Sequence, residues 1–181
     1  MKQVYLFLAE GFEEIEALTP VDILRRAGIT CTTVSIGTKK EVAGSHNIII
    51  TADKLFDEMN SFDADAIILP GGAVGTANLK AHKGLQTVIE KFHNEKKLIC
   101  AICAAPTILG EMGILKGLHA VCYPGLEGKL LGAYPEEDPF CYDGTVLTGR
   151  GPAKSMLFAL KIIELLLGEE KMNEIKQEIV F

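Results

Sequence analysis

No apolar run in this chain of 181 residues reaches the roughly 18 residues that a membrane-spanning helix needs, so a helical membrane span is excluded. No block of Lys or Arg stands out either, and 18 basic residues against 24 acidic ones leave a formal net charge of −6. Neutralising phosphates takes clustered cations, so a nucleic-acid partner is not expected. The chain opens on Met1-Lys2-Gln3-Val4-Tyr5-Leu6, without the cleavage-site pattern of a secretory signal. An even set of cysteines is missing too, because the five present are scattered in apolar contexts. That suits reduced thiols better than a disulfide framework, and a cytoplasmic location is expected. Repeats, low-complexity tracts and internal linkers are also absent, so 1–181 is expected to form one domain.

What is there begins with enough apolar material, 48% of residues, for a full core. Val4–Leu8, Thr32–Ile36, Ala66–Leu69 and Leu98–Ile102 read as strands, and runs apolar on both faces mark buried parallel ones. Ile48-Ile49-Ile50 reads as an edge or excursion strand, and Leu118–Cys122 as a further strand. Helical patterns run from about Glu14 to Ala27 with Gly28 as the stop, over Leu85–Phe92 and Pro106–Met112, and over Ala153–Leu167 before Gly168. Asp143-Gly144 is a hairpin turn signal, 124–139 reads as a Gly/Pro-rich loop, and the tail from Glu169 as a short polar helix. Strands alternating with helices predict an α/β sandwich with a mostly parallel sheet and helices on both faces.

Cys103 stands where one apolar strand stops at small residues and a proline, in Ala101-Ile102-Cys103-Ala104-Ala105-Pro106. A side chain on a sharp strand-to-helix turn needs small second neighbours, here Ala101 and Ala105, and Pro suits a first helical turn. The nearby helix N-terminus is expected to favour the reactive thiolate. A buried, inert cysteine is the plain alternative. Cys100 and Cys103 have C-x-x-C spacing, but strand alternation is expected to turn them to opposite faces, against a thioredoxin-like pair. A zinc site from Cys100, Cys103, Cys122 and Cys141 lacks a second short ligand pair, and no metal or other cofactor is expected.

Two further loops follow strands. In Glu13-Glu14-Ile15-Glu16, the first two acids suit a helix first turn. Glu16 is placed to face the sheet edge, where desolvation would keep it protonated beside a thiol. Leu69-Pro70-Gly71-Gly72 ends a strand in bare backbone, whose N–H groups, with that of Ala104, could hold a developing oxyanion. Ligands of open α/β sheets bind at that edge. Among the four histidines, His82, His93 and His119 are read as solvated or core-satisfied, while His46 is placed to approach the pocket.

These motifs, with Pro20-Val21-Asp22, Arg25-Arg26-Ala27-Gly28 and Thr148-Gly149-Arg150-Gly151-Pro152, resemble the ThiJ/PfpI superfamily over nearly the whole chain. More narrowly they resemble the branch of the parkinsonism-associated deglycase and bacterial YajL-type proteins. The resemblance implies a flavodoxin-like three-layer sandwich, usually homodimeric. It implies Cys103 as an oxidation-prone nucleophile, Glu16 as its protonated partner, and Gly72 and Ala104 as backbone donors beside Gly71. Arg26 matches a position that pairs with the active-site region across the dimer. Implied activities are cofactor-free glyoxalase or deglycase action on α-oxoaldehydes of the methylglyoxal class, and redox-regulated chaperone action.

Two positions depart from the pattern: Tyr123 stands where the deglycase has histidine, and His46 where the family has an arginine near the pocket. Ala104 follows the nucleophile where the protease branch has histidine, which argues against a protease. The expected function is aldehyde chemistry at Cys103 with Glu16 as proton shuttle. The alternatives are oxidation of Cys103 to a sulfinate stabilised by Glu16, and a dimer scaffold with an inert pocket.

Overall fold

A computed structural model describes all 181 residues. The first half runs β1 (Gln3–Leu8), α1 (Glu14–Arg26), β2 (Thr30–Ser35), β3 (Glu41–Ala43), β4 (Ile49–Thr51), β5 (Lys54–Leu55) and β6 (Ala66–Leu69). It continues through α2 (Ala73–Ala81), α3 (Lys83–Asn94), β7 (Leu98–Ile102) and α4 (Pro106–Glu111). The rest is β8 (His119–Ala120), β9 (Tyr134–Pro135), β10 (Phe140–Asp143), β11 (Val146–Gly149), α5 (Ser155–Leu167) and α6 (Glu169–Glu178).

Seven strands form the main sheet in the order β10-β11-β7-β6-β1-β2-β5. Every pairing in it is parallel except β10 with β11, the hairpin turned by Asp143-Gly144. Side chains alternate across the strands and split the core in two. Val4, Leu6, Leu8, Ile68 and Cys100 pack with Ala17, Leu24, Phe158 and Ile162 of α1 and α5. Tyr5, Phe7, Ile67, Leu69 and Ile99 pack with Leu85, Ile89 and Phe92 of α3 and Ile108 of α4. Each fully buried large side chain, such as Phe92 or Phe158, contributes about 1.5–3 kcal/mol. The result is the three-layer, flavodoxin-like α/β sandwich that the strand–helix alternation predicts.

The chain leaves β1 toward β2 on one side and returns to β6 on the other. The carboxyl ends of β1, β6 and β7 therefore lie side by side at a crevice where the winding direction reverses, the usual ligand position in such sheets. α1 starts there because Glu13 caps it, its carboxylate accepting the Glu16 N–H at 2.8 Å. Acidic Glu14 and Glu16 fall in its first turn and Arg25 and Arg26 in its last, matching the helix dipole.

One helix goes unannounced, one strand needs correction, and one open alternative is decided. α2 follows directly on Gly71-Gly72 and shows no apolar stripe, since it buries only Gly75, Thr76 and Leu79. The 118–122 strand shrinks to the two residues of β8, which pair with β9 outside the main sheet. β11 already occupies the edge of β7. Ile49 and Ile50 belong to the β3–β4 hairpin, an excursion rather than an edge of the main sheet.

Candidate active site

Cys103 follows β7 directly and has φ of +64°, a left-handed conformation that costs a non-glycine residue about 1–2 kcal/mol. Two neighbours hold it there. Its N–H donates to Gly149 O of β11 at 2.9 Å, and its carbonyl accepts the Tyr123 N–H at 2.8 Å. Ala101 and Ala105, fully buried on either side, leave room for the bend. The turn also breaks strand alternation. Cys103 joins the same core face as Cys100, so the expected separation onto opposite faces does not hold. All five cysteines are free thiols.

Glu16 is wholly buried. Its Oε2 accepts the Gly71 N–H at 2.9 Å, while Oε1 is buried without a hydrogen-bond partner, and the carboxyl lies against the Cys103 thiol. Burial pushes this carboxyl up to about 7, helped by the charge of Glu13 and opposed by hydrogen bonds from Cys103 and Gly71. Cys103 moves the same way, to about 12, through burial first and then the charge and hydrogen bonding of Glu16. The N–H groups of Gly72 and Ala104 address its sulfur and oppose that rise. Burial and the adjacent carboxyl thus act against the thiolate that the helix start favours, and the two backbone donors act for it. Thiol and carboxyl form a coupled pair that holds its protons together.

Glycine is needed twice beside them. A Cβ on Gly71 would sit 2.5 Å from Glu16 Oε2 and 2.7 Å from Cys103 Cβ. Gly72 has φ of +88°, and a Cβ there would meet Gly11 O at 2.4 Å. The β1 and β6 loops are stitched to each other as well, by Glu13 N–H to Gly71 O and Gly75 N–H to Gly11 O, both at 3.0 Å.

Tyr123 does reach the site. With Cys103, Ala104, Ala73 and Leu126 it lines an open cavity of about 410 Å³, and its half-exposed ring lies over Gly151.

His46 and Arg26 do not join that cavity. His46 is turned outward onto Glu14, with its ring Nδ1 2.7 Å from Oε2 and its backbone N–H donating to Oε1 at 2.6 Å. The Ser45 hydroxyl adds a bond to Oε2 at 3.1 Å. Burial alone would raise Glu14, but these donors outweigh it and hold the carboxylate at about 2. Glu14 is thus the latch of the 44–47 loop rather than a dipole charge only. No local motif announces this, because its partners lie more than 30 residues away. Glu13, Glu14 and His46 bring three ligand-type atoms within 4.8 Å of one another, yet Glu13 is spent on its cap and Glu14 on this latch. Arg26 ends α1, ten residues or about 15 Å along the axis from Glu16. It pairs with Asp22 at 2.8 Å and Glu178 at 3.0 Å.

The DJ-1/PfpI family profile matches residues 2–165. The chain is 36% identical to the Parkinson disease protein 7 homolog of Danio rerio, covering 99% of this chain and 97% of that protein. It is equally identical, over 99% of its length, to protein DJ-1 homolog B of Arabidopsis thaliana, but spans only 41% of that longer protein. Among solved structures, oxidized DJ-1 of Toxoplasma gondii superposes with a TM-score of 0.96 at 31% identity, covering 100% of this chain and 99% of that one. With the elbow, the buried acid and the double glycine at one sheet edge, these similarities establish that the chain belongs to the DJ-1/PfpI family.

Proposed function

We propose that the protein is a cofactor-free lyase for α-oxoaldehydes of the methylglyoxal class. The observation that carries this reading is the Glu16–Cys103 pair, a carboxyl poised near neutrality against a buried thiol. Cys103 Sγ adds to the aldehyde carbon, forming an S–C bond, and its proton passes through Glu16 to the former carbonyl oxygen. Glu16 then removes the hydrogen on that carbon, the adjacent ketone oxygen takes a proton, and an enediol forms. Return of a proton to the second carbon leaves a thioester, and water cleaves it to a 2-hydroxy acid and the free thiol. The sum is aldehyde plus water, with no external oxidant. The N–H groups of Gly72 and Ala104 suit the oxygen that becomes negative beside the sulfur. No histidine stands at position 123, so proton transfer rests on Glu16.

Lactate formed from methylglyoxal is the test. Wild type is expected to produce it, and Cys103→Ser and Glu16→Gln are expected not to. Equal rates for wild type and Cys103→Ser would end this reading.

A second reading is oxidation of Cys103 by two equivalents of peroxide to a sulfinate, releasing two waters. The protonated Glu16 favours it, because a neutral carboxyl can donate to a sulfinate oxygen. Mass spectrometry after mild peroxide is expected to place the added oxygens on Cys103 first, and even oxidation of all five thiols would count against it.

The protein is further proposed to act as a homodimer in a reducing compartment such as the cytoplasm. Ile15 and Leu18 on α1 and Ile48 and Ile49 beside it are 37–67% exposed, an apolar patch suited to a second copy. Sedimentation of wild type against Ile49→Asp tests this, and an unchanged mass would reject it.

A further inference from the structure

The cavity at Cys103 does not stop at Tyr123. Ala73, Ala104 and Leu126 also line a second cavity of about 210 Å³, so the two are continuous along the face between α2 and α4. The first is walled mainly by apolar groups, whereas the second holds Lys80, Lys129 and Glu111. Thr76 belongs to its wall as well. It is 6% exposed, with its hydroxyl oxygen turned away from the cavity and buried.

Charge in this wall is unbalanced. Lys80 is paired with Glu111, so a carboxylate on this side of the cleft already sits against an ammonium group. Lys129 has neither an ion pair nor a side-chain hydrogen bond, and its ammonium is left without a counter-charge. Two cations and one anion leave one positive charge in this wall.

We propose that this wall is an anion-accepting subsite and that the preferred electrophile carries a carboxylate several bonds from the carbon that Cys103 attacks. This deepens the lyase reading and rests on it for turnover, though the recognition itself needs only a reactive Cys103. Methylglyoxal would fill the first cavity alone. A carboxylated oxoaldehyde would fill both, with its acid on Lys129 and on Lys80 in place of Glu111.

The test uses two reagents with one reactive group: N-propylmaleimide, which is neutral, and 3-maleimidopropionate, which is anionic. In either case Sγ bonds to an alkene carbon, the π bond breaks and the thiol proton ends on the neighbouring carbon. Rates at Cys103 are read by peptide mass spectrometry and normalised to free cysteine. The anionic reagent is expected to react faster, by about threefold for each lysine that the subsite contributes. Lys129→Ala and Lys80→Ala should each erode that preference, Glu111→Gln should increase it, and salt should weaken it. Lys171→Ala, on α6, should leave it unchanged. A ratio near one, a ratio indifferent to Lys80 and Lys129, or no labelling of Cys103 by either reagent would overturn the proposal. Absence of lactate from methylglyoxal with the labelling preference intact would remove the lyase reading and leave the subsite.

Discussion

Glu14 and Glu16 lie two residues apart in the first turn of one helix, both at most 5% exposed, yet their carboxyls move in opposite directions, to about 2 and about 7. Burial raises both. The difference is the company each keeps. Glu14 receives the Ser45 hydroxyl, the His46 N–H and the His46 ring, and enough donors make a buried carboxylate stable. Glu16 receives one N–H, from Gly71, leaves its other oxygen without a partner and lies against a thiol. One carboxyl is held ionised because it is saturated with donors, and the other is pushed toward its neutral form because it is not.

The largest expected effect separates the two roles. Glu16→Gln should lower lactate formation by about 10²–10⁴-fold, the range for losing a general acid–base group. The same change should raise folding stability above pH 7. A carboxyl raised to about 7 in the fold is destabilising once ionised, with no cost below its ordinary range and the full cost above about 7. One pKa step is worth about 1.4 kcal/mol, so the gain at pH 8 is up to about 3 kcal/mol. Chemical denaturation at pH 8 checks it, and a loss of stability would break the contrast.

Gly71→Ala comes next. Its methyl would overlap Glu16 Oε2 and Cys103 Cβ, at about 1–3 kcal/mol for overpacking, and activity should fall with it. Denaturant midpoints and lactate rates measured together would show whether either survives.

Glu14→Gln should act on pH dependence rather than on rate. A carboxylate held at about 2 stabilises the fold above its ordinary range and loses that contribution as pH falls from about 4.5 toward 2. Unfolding curves across that window should steepen less with falling pH in the variant than in wild type, while its Cys103 chemistry stays intact. Identical pH profiles would mean that the latch is not ionised.

The smallest effect belongs to Arg26→Ala. Its partners Asp22 and Glu178 are exposed, and within one protomer it lies away from the cleft. The rate of Cys103 labelling should not change. A change would show that a second copy brings Arg26 to the site.

The contrast also marks what the residues disclose in order along the chain. Cys103, Gly71 and Glu16 are legible because each sits at a strand end or a helix start, where local rules of bending, bare backbone and helix capping apply. The His46–Glu14 latch is not, since nothing in Gly44-Ser45-His46-Asn47 names a partner in another loop. Proximity to the pocket is the natural expectation for His46, and the saturated carboxylate captures it instead. α2 escapes notice because its Ala, Gly, Thr and Asn side chains show no apolar stripe. With it goes the placement of Lys80 opposite Glu111 and Lys129, which only the packing of α2 beside α4 creates. The upward push on the Cys103 thiol is hidden for a further reason. A helix start can be read from a string of letters, but the removal of water around a sulfur cannot.

The bond from the Tyr123 N–H to the Cys103 carbonyl has a consequence for how this protein can change. The group that steadies the bent backbone at the nucleophile is an amide, which every residue but proline supplies. The group that meets an incoming molecule is the side chain. Position 123 can therefore trade one ring for another, and with it the choice of chemistry, while the scaffold beneath stays anchored.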